Sequence, residues 1–547
     1  MEVGIDTKKD SQIAKPAGRR VQDLSLLAEG ISELTCCKLC CGKLELVEEK
    51  NIQGLSSSLV WSCMSCKEEL AIPTSHMIKS NIPKGKPRSE VNLLAVGGME
   101  MIGKGYAGLN SFLTHLDIPS MSHTTFDKTA LFIGKAAQQV VEESLNKAHV
   151  EEKEKLVQKG VQIDQHGNLV DEGITDAGWQ KRSYNHNCNS LSGVGVLVGK
   201  ETGKVMDFEV LTVNCKKCAT AKTIGKEVEP HNCTALWKGS AKSMEPEMAA
   251  RMWSRSGHYG INFSTQVGDE DSATQKKLQE EVPDNLKPTK KKSDFLHIKR
   301  NFTNHLYNLK SKYRGIMSKM VITKLVVDFS AAIKTNVGDA NKIRDALQNI
   351  VSHNYGIHIK CGDWCLAKMD SSYKPKLPFG KYLSDEQLKK DLEIEIAFFT
   401  EEKTLAKIME CSSSQRAEMA FSILSKLAPK DTHLSSSPTL KRRMQYMVAK
   451  YNEGVAYSGL LWNKLGIKLG QQQLKSYRKG QKYSNWQYKH KQTEAYKIHR
   501  RVLKQQRSAK IKADKCKEVV QYKSGMGIYE SKKHKRTSCE VYSSPTD

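Results

Sequence analysis

A small set of carboxylates and a larger set of cysteines and histidines carry the chemistry this chain could do. Asp176 sits in ITDAGWQKR, Asp269 follows the short apolar run INFSTQV in VGDEDS, and Glu418 lies inside QRAEMAFSILSKL. Ninety-three positions separate Asp176 from Asp269, and 149 separate Asp269 from Glu418. Carboxylates offer the hard oxygens that Mg²⁺ or Mn²⁺ takes. Two such ions about 3.5–4 Å apart can clamp the attacking and leaving oxygens of a phosphodiester. Each residue also has a plainer role: a turn or cap at Asp176, a helix cap at Asp269 or Asp271, an exposed helical position at Glu418. Asp269 is preferred to Asp271, because it follows directly on the strand while Asp271 sits where a cap for a helix from Ser272 belongs.

The second chemistry is metal binding by thiols. Cys37 and Cys40 form one Cys-x-x-Cys knuckle and Cys63 and Cys66 another, which predicts a zinc ribbon with four thiolates. Cys36 and Cys41 flank presumed ligands and could replace them. Cys215, Cys218, His231 and Cys233 follow as C-x2-C-x12-H-x-C, a second zinc pattern. His353, His358, Cys361 and Cys365 give a less stereotyped third, in which the histidines could instead contact phosphate or pack.

Composition narrows the class. A formal charge of +26 over 547 residues calls for a polyanionic partner, nucleic acid before membrane. No run of eighteen apolar residues occurs, and MEVGIDTKKDSQ lacks the apolar core of a signal peptide. Paired cysteines in such a chain point to zinc in a reducing compartment rather than to disulfides.

These sites need elements to hold them. Residues 1–35 are polar and are expected to be mobile, with the zinc ribbon at 36–75. A helical domain spans 88–160, with apolar faces in VNLLAVGGMEMIG and ALFIGKAAQQVVEESL and a capping Ser122. A helix-turn-helix reading of that stretch is weaker, because no face concentrates arginine. From 161 to 280 strands dominate: VGVLVG and KVMDFEVLTV are joined by GKETGK, a hairpin signal, with the zinc insertion at 215–233. A helix from Ser243 to about Arg255 precedes INFSTQV. The strand before Asp176, LVDEGIT, is less apolar than a central strand usually is. Acidic residues on strand, strand and helix suggest a ribonuclease-H-like α/β core within a multidomain α+β chain. A helical insertion opens with KPTKKK and spans 281–410, and 411–465 completes the core. From Lys468 to Lys517 sixteen Lys or Arg face two carboxylates, interleaved with Tyr477, Tyr483, Trp486, Tyr488 and Tyr496. This part of the basic tail, 466–547, reads as a phosphate-binding surface. KKHKR at 532–536 would suit nuclear import.

Nine segments run in a recognisable order: DAGWQKR (176–182), LSGVG (191–195), GKETGKVMDF (199–208), CKKC (215–218), WKGSAKSMEPEMA (237–249), GDEDSAT (268–274), SDFLHIKR (293–300), HIKCGDWC (358–365) and SILSKLAPK (422–430). Together they resemble the Mutator-like transposase domain over roughly residues 20–465. The resemblance implies DDE-type DNA cleavage and strand transfer, with the acidic positions falling on Asp176, Asp269 (or Asp271) and Glu418. It also implies Mg²⁺ or Mn²⁺ at that site beside structural Zn²⁺. Double-stranded DNA, both element ends and target, would be the partner of a homo-oligomer in the nucleus. His297 and Lys299 fall in a family motif, for phosphate contact or local structure. One departure stands out: the family commonly carries asparagines near the glutamate, where this chain has Ala417, Met419 and Ala420. That leaves room for a host-retained, catalytically inactive DNA-binding protein, or for a chromatin adaptor that binds protein through its zinc modules.

Overall fold

The described N-terminal residues include a capped helix. Asp23 accepts the Ser25 N–H at 2.9 Å and caps helix α1 (Leu24–Leu34), which packs through half-buried Leu27 and Ile31 near the next strand. This helix lies within the segment expected to be mobile. The computed structural model describes residues 21, 23–79, 86–180, 189–362, 365–370 and 372–517; KKHKR at 532–536, Lys181 and Arg182 lie outside them. The chain divides into two compact units between Leu469 and Gly470.

The first unit opens with an antiparallel sheet of β1 (Leu44–Gln53), β2 (Ser56–Cys63) and β3 (Glu69–Pro73), with β2 in the middle and largely buried. A short ladder, β4 (Met77–Ile78) with β5 (Arg88–Ser89), leads to helices α2 (Glu90–Met101), α3 (Tyr106–Thr114) and α4 (His123–Gln158). Ser122 caps α4 as expected, accepting the Thr125 N–H at 3.1 Å.

A five-stranded sheet follows. It contains β6 (Leu169–Trp179), β7 (Ser192–Gly199), β8 (Val205–Thr212), β9 (Ile261–Gly268) and β10 (Lys290–Ser293), in the order β10-β9-β6-β7-β8. β6, β7 and β8 pair antiparallel, whereas β9 runs parallel to β6 and β10 parallel to β9. The hairpin signal GKETGK turns β7 into β8, helped by Gly203 at φ +70°. Glu152 of α4 accepts the Glu201 and Thr202 N–H groups at 2.8 and 2.7 Å and closes that turn.

Helix α5 (Lys216–Thr223) lies in the insertion after β8, and α6 (Met244–Arg255) and α7 (Ser272–Glu281) flank β9 in sequence. Met244, Met248, Met252 and Trp253 of α6 bury one face of the sheet with Leu197, Met206 and Phe263. The helical insertion comprises α8 (Phe295–Lys312), α9 (Lys319–Thr335), α10 (Ala340–Asn354), α11 (Leu366–Met369), α12 (Glu386–Thr400) and α13 (Glu402–Ile408), around its own core of stacked and edge-on Phe302, Phe329 and Phe399. It begins after β10, because the lysine run that seemed to open it supplies the fifth strand instead. Lys292 there is buried between Glu172 (2.6 Å) and Glu410.

Helices α14 (Gln415–Leu427), α15 (Thr439–Glu453) and α16 (Tyr457–Lys464) return to the sheet and, with α2 and α4, cover its other face through Ile174, Val196 and Val267. The second unit holds α17 (Gln471–Gln492) and α18 (Glu494–Lys517). No residue of α17 is buried. No helix among the described residues is long and apolar enough to cross a membrane.

Candidate functional site

Parallel pairing sets the register of the first two carboxylates. Ile174 of β6 lies opposite Val267 of β9, so Asp176 and Asp269 each stand two residues further along adjacent parallel strands. Asp176 accepts the N–H of Ala177 at 2.8 Å and shares a cleft with Asp269, Asp271 and Glu245. Met248, Met252 and Gln266 form part of its floor.

The remaining predicted carboxylate, Glu418, does not line that cleft, and the helix that carries it is placed by the closure of the insertion on itself. Asp294 is buried and caps α8, accepting Leu296 N–H (2.7 Å) and His297 N–H (3.1 Å). Its other oxygen takes Ser414 N–H (2.6 Å) and Ser414 O–H (3.0 Å), while Phe295 N–H donates to Ser412 O (2.9 Å). The two ends of a run of more than a hundred residues are thereby tied together. Helix α14 starts one residue past that tie and carries Glu418 in its first turn. It lies so close to β6 that a Cβ on Gly178 would meet Phe421 at 3.0 Å. Glu418 is exposed, and its charge acts on Asp176.

Burial dominates the electrostatics of the cluster, although His297, Lys291 and Arg300 supply positive charge beside Asp269. Burial pushes Asp176 up to about 7, against the Ala177 N–H, and the charges of Asp269, Glu245 and Glu418 add to the rise. Glu245 also rises to about 7, from burial and then from Asp271 and Asp269. Asp269 is raised by burial first, although His297 opposes the rise with Nε2 3.1 Å from Oδ1. Several carboxylates gathered in this way cannot all ionise side by side without a cation among them, and their hard oxygens are the donor type a divalent cation takes.

The acidic candidates differ in their other duties. Asp271 caps α7, accepting the Thr274 N–H (3.1 Å), the Thr274 O–H (2.7 Å) and the Ala273 N–H (3.3 Å). Asp269 has no such cap to hold and faces His297. Glu245 was not singled out in the sequence, although its segment was. A signal was there: Glu245, Met248, Ala249 and Met252 follow one another at helical spacing, so a carboxylate interrupts the buried stripe of α6. The alanines beside Glu418 also have a reason. Ala417 and Ala420 are fully buried on the sheet-facing side of α14, so they are packing residues, and Met419 is exposed.

The cysteine and histidine predictions gather as three groups of four: Cys37, Cys40, Cys63 and Cys66; Cys215, Cys218, His231 and Cys233; His353, His358, Cys361 and Cys365. Within each group every ligand atom lies within 4.8 Å of the others, close enough to hold structural zinc. In the first, backbone N–H groups of Leu39 and Cys66 point at Cys37 and Cys63 sulfurs (3.4 and 3.5 Å). Cys36 and Cys41 stay outside it, and Cys41 turns the knuckle at φ +56°. In the second, His231 Nδ1 lies 2.9 Å from Glu229 O, which leaves Nε2 as the ligand atom. In the third, Asn349 donates to Cys361 Sγ (3.2 Å) and Tyr382 O–H meets His358 Nε2 (3.0 Å). The third group could thus hold zinc through both histidines.

Residues 18–365 match the family model described as Mutator-like transposase. The match takes in all three metal-ligand groups together with Asp176, Glu245, Asp269 and Asp271, and it ends before Glu418. No curated protein matches the chain.

Proposed function

Because the chain belongs to the Mutator-like transposase family, we propose that its carboxylate cleft is the site of metal-dependent DNA strand cleavage and transfer. The observation that carries this reading is the meeting of Asp176, Asp269 and Glu245 in one cleft, with Glu418 close enough to act on Asp176. The strand order supports a ribonuclease-H-like core: three antiparallel strands, then two parallel ones, with acidic residues at adjacent strand ends and on a returning helix.

In this reading Asp176, Asp269 and Glu418 hold Mg²⁺ or Mn²⁺, with Glu245 as a further oxygen donor. A divalent cation bound there supplies an activated nucleophile at neutral pH and counter-charge for the leaving oxygen. His297 holds the Asp269 carboxylate in place through its 3.1 Å contact. Asp294 and Ser414 fix the start of α14, so Glu418 is positioned by the closure of the insertion. No covalent enzyme nucleophile is needed, since phosphoryl transfer asks for positioning and charge neutralisation.

Double-stranded DNA is the proposed partner, bound by the basic second unit. Assembly as a homo-oligomer on DNA ends and a nuclear location go with this reading. Calorimetric titration with Mn²⁺ tests the cleft without needing the DNA sequence. Wild type should bind the ion, and Asp176→Asn and Asp269→Asn should each weaken binding at least tenfold. Undiminished binding in both variants would remove the cleft as the metal site.

A further inference from the structure

A second cavity, of about 150 Å³, lies among the α2–α3 turn, the start of α4 and α15, and shares no lining residue with the carboxylate cleft. Its walls include Gly105, Tyr106, His123, Thr432 and Arg443. Arg443 is 2% exposed. Its Nη2 donates to Lys104 O, but Nε and Nη1 are buried without any hydrogen-bond partner.

The carboxylate beside it is already committed. Glu100 receives Arg442 Nε at 2.9 and 2.8 Å on its two oxygens, Arg442 Nη2 at 2.5 Å, and the Tyr446 O–H at 2.9 Å. Arg443 stands 3.9 Å from it, an ion-pair distance without a hydrogen bond. Two buried guanidiniums therefore share one buried carboxylate, and one positive charge is left unbalanced. Asp127 also lines the cavity, but it is an exposed rim residue 3.2 Å from His123. Helix α3 begins at this cavity with Gly105 as its N-cap, which has no side chain to accept the first-turn N–H groups. The start of a helix carries a partial positive charge, and Gly105 and Tyr106 place that end of α3 on the cavity wall.

We propose that this cavity is a phosphate-class oxyanion site, with Arg443 as its charged donor and the uncapped start of α3 as its second donor set. A nucleic-acid phosphate and free inorganic phosphate share this chemistry. The proposal stands apart from strand cleavage, and its test reads stability and binding only.

The full-length chain is melted while inorganic phosphate is titrated at constant ionic strength. Wild type should show a saturable rise of about 2 °C. Arg443→Met should abolish the rise without lowering the phosphate-free melting temperature, since it deletes an unbalanced buried charge. Thr432→Glu, at an exposed wall position, supplies a carboxylate in place of the anion and should also abolish the rise, which guards against a folding defect in the first variant. Duplex binding by the same variants separates the sources. Affinity about tenfold weaker with a shallower salt slope assigns a DNA phosphate, and unchanged duplex binding assigns free phosphate. Equal rises in wild type and both variants, or no saturable rise in wild type, overturn the site.

Discussion

Asp269 and Asp271 stand two residues apart in the same cleft and do different things. Asp271 spends its oxygens on the start of α7, whereas Asp269 faces His297 across 3.1 Å. Asparagine caps helices nearly as well as aspartate but is a poorer metal ligand. Asp271→Asn should therefore keep both fold and strand cleavage, while Asp269→Asn keeps the fold and loses cleavage; assaying the pair side by side checks this. Ala417 offers a second residue-scale test. Its methyl is fully buried against the sheet, so Ala417→Asn should cost about 2–4 kcal/mol from overpacking and an unsatisfied amide, read by urea unfolding. Asparagine at 417 would not give Glu418 polar support, because the position faces inward. Neighbour identity in the sequence carries no direction, and only the helix phase on the sheet supplies it. Glu245 was hidden for the opposite reason: one of two glutamates in a segment with as many lysines looks exposed until the buried methionines around it fix its side of α6.

At the scale of elements, the central strand explains why LVDEGIT looked too polar. Each carboxylate of β6 before Asp176 has a local partner. Glu172 takes Lys200 (2.5 Å) and Lys292 (2.6 Å), and Asp171 lies against Glu152 in the core. Burial, then Glu152, raises Asp171 to about 9 from an ordinary 3.8. Between those values the folded chain keeps a proton that the unfolded chain has released, so Asp171 makes stability fall as pH rises from about 4 to 9. Asp171→Asn should accordingly raise the melting temperature more at pH 8 than at pH 5. An equal effect at both pH values would contradict the buried pair. The strand β10 escaped for a related reason, since KPTKKK reads as the opening of a helical insertion and carries no apolar strand signal. Burial of Lys292 between two glutamates is a tertiary fact that no window of sequence contains. Hairpin, helix caps and cysteine clusters were legible because their signals are local: GKETGK, Ser122, Asp271, and the Cys-x-x-Cys spacings. Three groups of four ligands predict three zinc ions per chain by metal analysis, and Cys40→Ser should lose one of them with local unfolding of the 36–75 module.

For the whole molecule, the proposed reading gives the two units separate tasks. The second unit packs an exposed ladder of rings along α17 into a chain segment rich in lysine and arginine. Tyr483 and Trp486 stack at 5.9 Å and Trp486 and His490 at 4.8 Å. Deleting residues 470–547 should weaken duplex binding across sequences and flatten its salt dependence by about 0.9 of a log unit per lost phosphate contact, measured by fluorescence anisotropy. The carboxylate cleft belongs to the first unit and should contribute little to that attraction. End cleavage decides whether this cleft cuts DNA with a divalent metal. Duplex carrying the element's terminal sequence is incubated with Mg²⁺ or Mn²⁺ and wild type, Asp176→Asn or Glu418→Gln, with binding measured in the same tubes. Wild type alone should cleave the strand, and all three proteins should bind the duplex. Cleavage by either variant at the wild-type rate, or binding by wild type with no cleavage in either metal, would contradict that role for the cleft.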